Sequence, residues 1–266
     1  MNTAVSLPEF ITVSNCEGIA TITLDRPDKR NAINDQMRAE LIAAFTDADA
    51  DTEVRGIILT GAGKSFCSGG DIAGMRARLE APSGEVAFNG WKRQKSTHRG
   101  VAAIHGVTKP VIAAINGDAY GLGLDMALAC DFIIAAEGSE MSMSFIKRGL
   151  VSDGGGMYFL PRRVGLPKAK ELIFSAKVMA TAEALAIGLI DRVAAPGALL
   201  DEAHAWAKEL TVGSATAIAL TKEIIDKTFE RSDEEIFALG RKAQAVCYTT
   251  AEHRKAVEDF LNKLSK

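Results

Sequence analysis

Asn116-Gly117-Asp118-Ala119-Tyr120-Gly121-Leu122-Gly123-Leu124-Asp125 runs without a break into Met126-Ala127-Leu128-Ala129-Cys130-Asp131, and the fold is decided by how this stretch is read. Its glycines permit positive φ and close backbone approach. From residue 121 to 130 the chain is apolar enough to predict a short buried helix. On either side, residues 111–115 and 132–135 are apolar with no polar alternation, as in strands covered on both faces. Residues 56–60 (Gly-Ile-Ile-Leu-Thr) share that character, and residues 19–24 form a β-branched run that stops at the turn signal Asp25-Arg26-Pro27-Asp28. Asn34 can cap a helix whose apolar stripe is Met37, Leu41, Ala44, Phe45 and Ala48. Strands alternating with helical segments predict an α/β fold rather than a sandwich.

Near Pro196-Gly197 the composition shifts. Residues 199–210, 215–229, 233–247 and 250–264 all read as helix, so we divide the chain into a mixed α/β core over 1–197 and a helical C-terminal region over 198–266. Residues 77–90, with Pro82, Ser83 and Gly84, are weakly patterned and predict a mobile surface loop near a site.

Composition excludes several classes. The 266 residues carry 34 acidic and 31 basic side chains, a net charge of −3, which offers no broad footprint for a nucleic-acid phosphate chain. Cys16, Cys67, Cys130 and Cys247 have no metal-site spacing and read as reduced thiols. There is no apolar run long enough for a membrane span, and residues 1–9 lack the pattern of a secretory signal, so a cytoplasmic protein is expected. Gly63-Lys64-Ser65 fails as a P-loop because position 58 is isoleucine, and Gly121-Leu122-Gly123 fails as a dinucleotide fingerprint because position 126 is methionine. His98, His105, His204 and His253 show no metal-binding pairing, and no metal is expected. There is no nucleophile elbow.

What remains is three segments that combine glycine backbone with a carboxylate: residues 65–72 (Ser-Phe-Cys-Ser-Gly-Gly-Asp-Ile), the stretch from Asn116 to Asp131, and residues 149–156 (Gly-Leu-Val-Ser-Asp-Gly-Gly-Gly). Each alone could be a capped turn. Together they resemble the crotonase superfamily, which includes the enoyl-CoA hydratases and isomerases. Further matches are Asp25-Arg26-Pro27 with Asn31-Ala32-Ile33, Lys109-Pro110, Leu160-Pro161 with Gly165, Ala184 with Gly188-Leu189-Ile190 and Val193, and Phe260-Leu261-Asn262-Lys263.

The resemblance implies a spiral of ββα units forming two roughly perpendicular sheets, followed by a helical trimerisation region, in a homotrimer or a hexamer made as a dimer of trimers. It implies an acyl-CoA thioester as substrate, with coenzyme A part of that substrate and no separate cofactor. The thioester oxygen would lie between the backbone N–H groups of Gly70 and Leu122, where leucine replaces the family's usual glycine. Hydratases of the family use two glutamates, and the matching positions here are Asp125 and Phe145. Phenylalanine moves no proton, so two-glutamate hydration is not expected. Asp153 falls where the isomerases carry their acid, and a dienoyl-CoA isomerase variety matches at Asp125 and Asp153 but not at Phe145.

Asp153 therefore reads as general base and acid, or as an N-cap, and both can hold. Asp125 reads as auxiliary acid or as a buried hydrogen-bonder. With Phe145 and Met157 nearby, Asp153 should have a raised pKa. Lys29 and Arg30 match a phosphate contact or are a solvated turn. Ser68, Asp71 and Ile72 match the segment that receives the pantetheine and adenine. Phe260 and Lys263 match residues that reach CoA from a neighbouring subunit, or simply end an amphipathic helix. Residues 75–100 with Tyr120, Phe145 and Tyr158 would shape the acyl pocket. The leading expectation is double-bond isomerisation. Its rivals are hydration shared by Asp125 and Asp153, hydrolysis or dehalogenation with Asp153 as nucleophile, and a non-catalytic CoA-thioester-binding or RNA-associated relative.

Overall fold

The computed structural model describes residues 8–264. Its strands are β1 (Ile11–Cys16), β2 (Ile19–Leu24), β3 (Gly56–Gly61), β4 (Ser65–Cys67), β5 (Val111–Ile115), β6 (Asp118–Tyr120), β7 (Phe132–Ala136), β8 (Glu140–Ser142), β9 (Met179–Ala180) and β10 (Arg192–Ala194). Between them lie α1 (Asp35–Ala50), α2 (Ile72–Leu79), α3 (Ser83–His105), α4 (Leu122–Leu128), α5 (Gly156–Val164), α6 (Leu166–Ser175) and α7 (Thr181–Ala186). The chain closes with α8 (Leu199–Leu210), α9 (Ala215–Ile225), α10 (Asp233–Cys247) and α11 (Ala251–Leu264).

Among the described residues one sheet has the order β1-β2-β3-β5-β7-β10 and a second the order β4-β6-β8-β9. The pairs β3–β4, β5–β6 and β7–β8 each give their first strand to the larger sheet and their second to the smaller, and each advance is parallel to the last. This is the expected spiral of ββα units. β1 and β2 form an antiparallel hairpin whose two turn residues, Glu17 and Gly18, both have positive φ, matching the right-handed twist of the strands.

The absence of polar alternation in β3, β5 and β7 has a direct cause. Ile57, Leu59, Ala113, Ile115 and Ile133 face a core shared with Met37, Leu41 and Phe45 of α1 and Leu124 of α4. Their neighbours Ile58, Ile112, Ala114 and Ile134 face the other way, onto Leu199, Ala203, Trp206 and Ala207 of α8. Both faces are dry. α8, which follows the division at residue 197, packs on the α/β core and covers the second face of the larger sheet. α9, α10 and α11 contain no buried residue. The helix read over 215–229 ends at Ile225, and Thr228–Glu230 is a separate single turn.

Residues 77–90 are also corrected. They are not a loop but the end of α2, a short link, and the start of α3. Their pattern was weak because α3 packs firmly only further along, where Thr97, Val101 and Ile104 are buried. Asn34 caps α1 as expected, its Oδ1 accepting from the Met37 N–H at 2.7 Å.

Candidate active site

The site is organised around Asn31, which is fully buried. Its Nδ2 donates to the carbonyls of Ala62 (2.9 Å) and Ser65 (2.7 Å), and its Oδ1 accepts from the Arg26 N–H at 2.9 Å. The turn after β2 is thereby tied to the β3–β4 connection. Ser68 N then donates to Arg30 O, Ile33 N to Gly69 O, and Asp71 N to Ile33 O, at 2.8–3.1 Å. In this parallel bridge between Ile33 and Gly70, successive amides point to opposite sides. Among the described residues the Gly70 N–H makes no hydrogen bond within the chain.

Gly121 has φ 54° and ψ −120°, which turns the following peptide and leaves the Leu122 N–H, first in α4, without an acceptor among the described residues. A Cβ placed on Gly69 would stand 3.0 Å from Tyr120 O and 3.6 Å from Leu122 N. Glycine at 69 is therefore what lets the two chain segments meet. Two free amides, 52 positions apart in sequence, thus border one cleft.

The cleft has two connected parts that share Gly70, Leu122, Phe145, Arg148 and Leu150. The outer cavity, about 450 Å³, is bordered by Lys29, Arg30, Ser68, Asp71 and Ile72. Arg26 joins it through an ion pair with Asp71 at 3.1 Å. The inner cavity, about 430 Å³, is bordered by Asp153, Leu79, Val86 and the Arg93–Thr97 face of α3. Leu122 lines both parts and lays its Cδ1 against Gly154, where an added Cβ would meet it at 2.6 Å.

Asp153 is half-buried, and burial raises its carboxyl above the usual range, while His98 and Arg93 act in the opposite sense. His98 Nε2 lies 3.0 Å from the Asp153 carbonyl oxygen, so α3 steadies this loop from above. Asp125 borders neither cavity. It is fully buried and its Oδ1 accepts from Ser152 Oγ at 3.1 Å. The Gly154 and Gly156 amides favour its charged form, yet neither closes a hydrogen bond to Oδ2, which is without a partner among the described residues. Burial dominates and pushes the Asp125 carboxyl up to about 8, with the neighbouring Asp153 adding to it. The position read as auxiliary acid or hydrogen-bonder lies beneath the Asp153 loop, because the inward face of α4 is packed against it.

Side-chain direction takes Tyr120 and Tyr158 away from the cleft. Tyr120 borders neither cavity, since its hydroxyl donates to Glu140 Oε2 across the small sheet at 2.7 Å. Tyr158 donates instead to Glu230 Oε1 at 2.7 Å, and Met157 is exposed, because α5 turns both away from the cleft. Phe260 and Lys263 sit on the exposed α11 and border neither cavity of this chain. Arg148 lies outside every sequence reading, whereas Arg93, Gln94 and His98 fall within the expected pocket segment 75–100 without being picked individually for it. The α3 residues could have been found only by reading Val86, Gly90, Arg93 and Thr97 as one helical face. Among the described residues no three metal-ligating side chains come together, and no helix is long and apolar enough to cross a membrane.

Known proteins resemble this chain along nearly its whole length. The family model for enoyl-CoA hydratase/isomerase matches residues 14–266. A 1,2-epoxyphenylacetyl-CoA isomerase of Escherichia coli (strain K12) is 32% identical over 257 residues, covering 97% of each chain. An enoyl-CoA hydratase from Polaromonas sp. JS666 has a similar solved structure, with a TM-score of 0.87 and 31% identity over 95% of this chain and 97% of the other. The enoyl-CoA hydratase of Bacillus anthracis gives 0.88 and 28% identity over 96% and 97%. Both hydration and isomerisation occur among these names.

Proposed function

The chain belongs to the enoyl-CoA hydratase/isomerase family, and from that premise we propose that it moves a double bond within an acyl-CoA thioester by way of an enolate. The thioester oxygen sits between the Gly70 and Leu122 amides, the acyl chain in the inner cavity, and the CoA arm in the outer one beside Lys29 and Arg30. Charge on the oxygen grows as the enolate forms, so amides already aimed at it favour the transition state, each worth about 2.7–4 kcal/mol. Asp153 takes a proton from one carbon and returns it two carbons along. Its raised pKa suits proton abstraction near neutrality.

One observation carries this reading: among the described residues lining the inner cavity Asp153 is the carboxylate, with Phe145 beside it and Asp125 sealed beneath. Among the described residues lining the inner cavity, two-acid hydration finds no second acid. Assembly as a trimer, or as a dimer of trimers, would cover the apolar side chains that α9–α11 leave exposed, and is the arrangement in which Phe260 and Lys263 could reach a neighbour's CoA.

The test supplies 3-enoyl-CoA and 2-enoyl-CoA of equal length and follows double-bond position and water addition by mass spectrometry. Interconversion that Asp153→Asn abolishes while acyl-CoA binding survives supports the reading. Hydration without migration, or undiminished turnover in Asp153→Asn, overturns it.

A further inference from the structure

The inner cavity has a polar wall. On α3, Arg93 and Gln94 follow Val86 and Gly90 at helical spacing and border the same space as Leu122 and Asp153. The Arg93 side chain is only 17% exposed, and its ion partner among the described residues is Asp35, with Nε 3.4 Å from Oδ1. That carboxylate is itself 79% exposed and also takes the buried Arg38, whose Nη1 donates to it at 2.7 Å. Two guanidiniums therefore share one solvated carboxylate, so Arg93 is not closed off in an ion pair of its own. Arg38 is further under-satisfied, its Nε and Nη2 having no partner among the described residues. Beside Arg93, the Oε1 of Gln94 is sealed from solvent and has no hydrogen-bond partner among the described residues. Rotating that amide end for end offers the cavity either a donor or an acceptor.

A hydrocarbon chain entering here would strip water from Arg93 and leave Gln94 unpaired, the unfavourable case for enclosed polar groups. We infer that the acyl group this cavity takes carries an oxygen at its far end, as a carboxylate or a hydroxyl, received by the Arg93 guanidinium with the Gln94 amide completing the contact. This rests on the acyl-CoA reading above and narrows it to one substrate class. Arg93 lies near enough to Asp153 for its charge to act on that carboxyl. Both side chains border the one inner cavity of about 430 Å³, which sets the oxygen and the point of proton transfer within the same enclosed space.

The experiment is calorimetric binding of three saturated six-carbon thioesters to the full chain: hexanoyl-CoA, 6-hydroxyhexanoyl-CoA and adipoyl-CoA. At least one oxygenated thioester should bind about 10–100-fold more tightly than hexanoyl-CoA, as expected where a polar pocket group is paired or left unpaired. Preference for adipoyl-CoA identifies the charge as the feature read, and preference for the hydroxyl identifies a neutral oxygen. In Arg93→Met or Gln94→Leu the preference should shrink to less than about threefold. Among the described residues the Gln94 side chain makes no hydrogen bond that supports the fold, so its variant decides the matter even if Arg93→Met does not fold. Hexanoyl-CoA binding as tightly as both oxygenated thioesters overturns this inference alone, as does a preference unchanged in Gln94→Leu and in folded Arg93→Met. Failure of all three to bind overturns the acyl-CoA reading and this inference together.

Discussion

Replacing Asp125 with asparagine should flatten the dependence of stability on pH. The carboxyl is 0% exposed and its pKa is pushed from 3.8 to about 8, chiefly by burial. An acid whose folded pKa lies above its unfolded value holds more protons when folded between the two. The free energy of unfolding therefore falls as pH climbs from about 4 to about 8, and levels off above that. The displacement of roughly 4 pH units corresponds, at about 1.36 kcal/mol per unit, to a ceiling of about 6 kcal/mol. Relaxation of the glycine-rich loop at residues 152–156 around the ionised form lowers this, and about 2–3 kcal/mol between pH 5 and 8 is expected. The asparagine amide has nearly the same shape and does not titrate. Urea unfolding at pH 5, 6, 7 and 8, at one protein concentration, should show the wild type losing that much relative to Asp125→Asn. Curves that stay parallel within about 0.5 kcal/mol would refute the claim that this carboxyl is neutral in the folded protein at neutral pH.

Three further outcomes follow from the geometry. Wild-type kcat/KM for double-bond migration should fall as pH drops through the raised pKa of Asp153, with a midpoint above the 3.8 of an ordinary aspartate, because the base must be deprotonated; a pH–rate profile flat down to pH 4 contradicts this. Gly123→Ala would bring its Cβ to 2.2 Å from the Cys67 carbonyl oxygen, and should lower stability by about 3 kcal/mol or more, read as a drop in Tm. Lys222→Met removes the partner of Asp131, which it meets at 2.7 Å with both side chains largely buried, and should cost about 3 kcal/mol in chemical unfolding; a variant as stable as wild type at pH 7 would show that the pair is not holding α9 to the core.

Much of this protein was legible along the chain because it depends on local chemistry. Runs such as residues 56–60 and 111–115 read as strands covered on both faces, and Asn34 before Met37 reads as a helix start. The glycines at 69, 121 and 155 mark places where the backbone takes positive φ. Order and spacing of the three glycine–carboxylate segments also carried the family. Local signals fail where a residue's role depends on what comes from far away. Sequence leaves open whether Asp125 is an auxiliary acid or a buried hydrogen-bonder; it lies beneath Asp153 because α4 turns its acid inward while the 149–156 loop presents its own to the cavity. Tyr120 reads as a pocket residue until the partner strand supplies Glu140. The sharing of one carboxylate by Arg93 and Arg38 exists only because α1 lays Arg38 and Asp35 against α3. Backbone conformation and burial pattern are written in neighbours along the chain, whereas exposure, pKa and charge balance are properties of neighbours in space, and these are set only when the spiral closes.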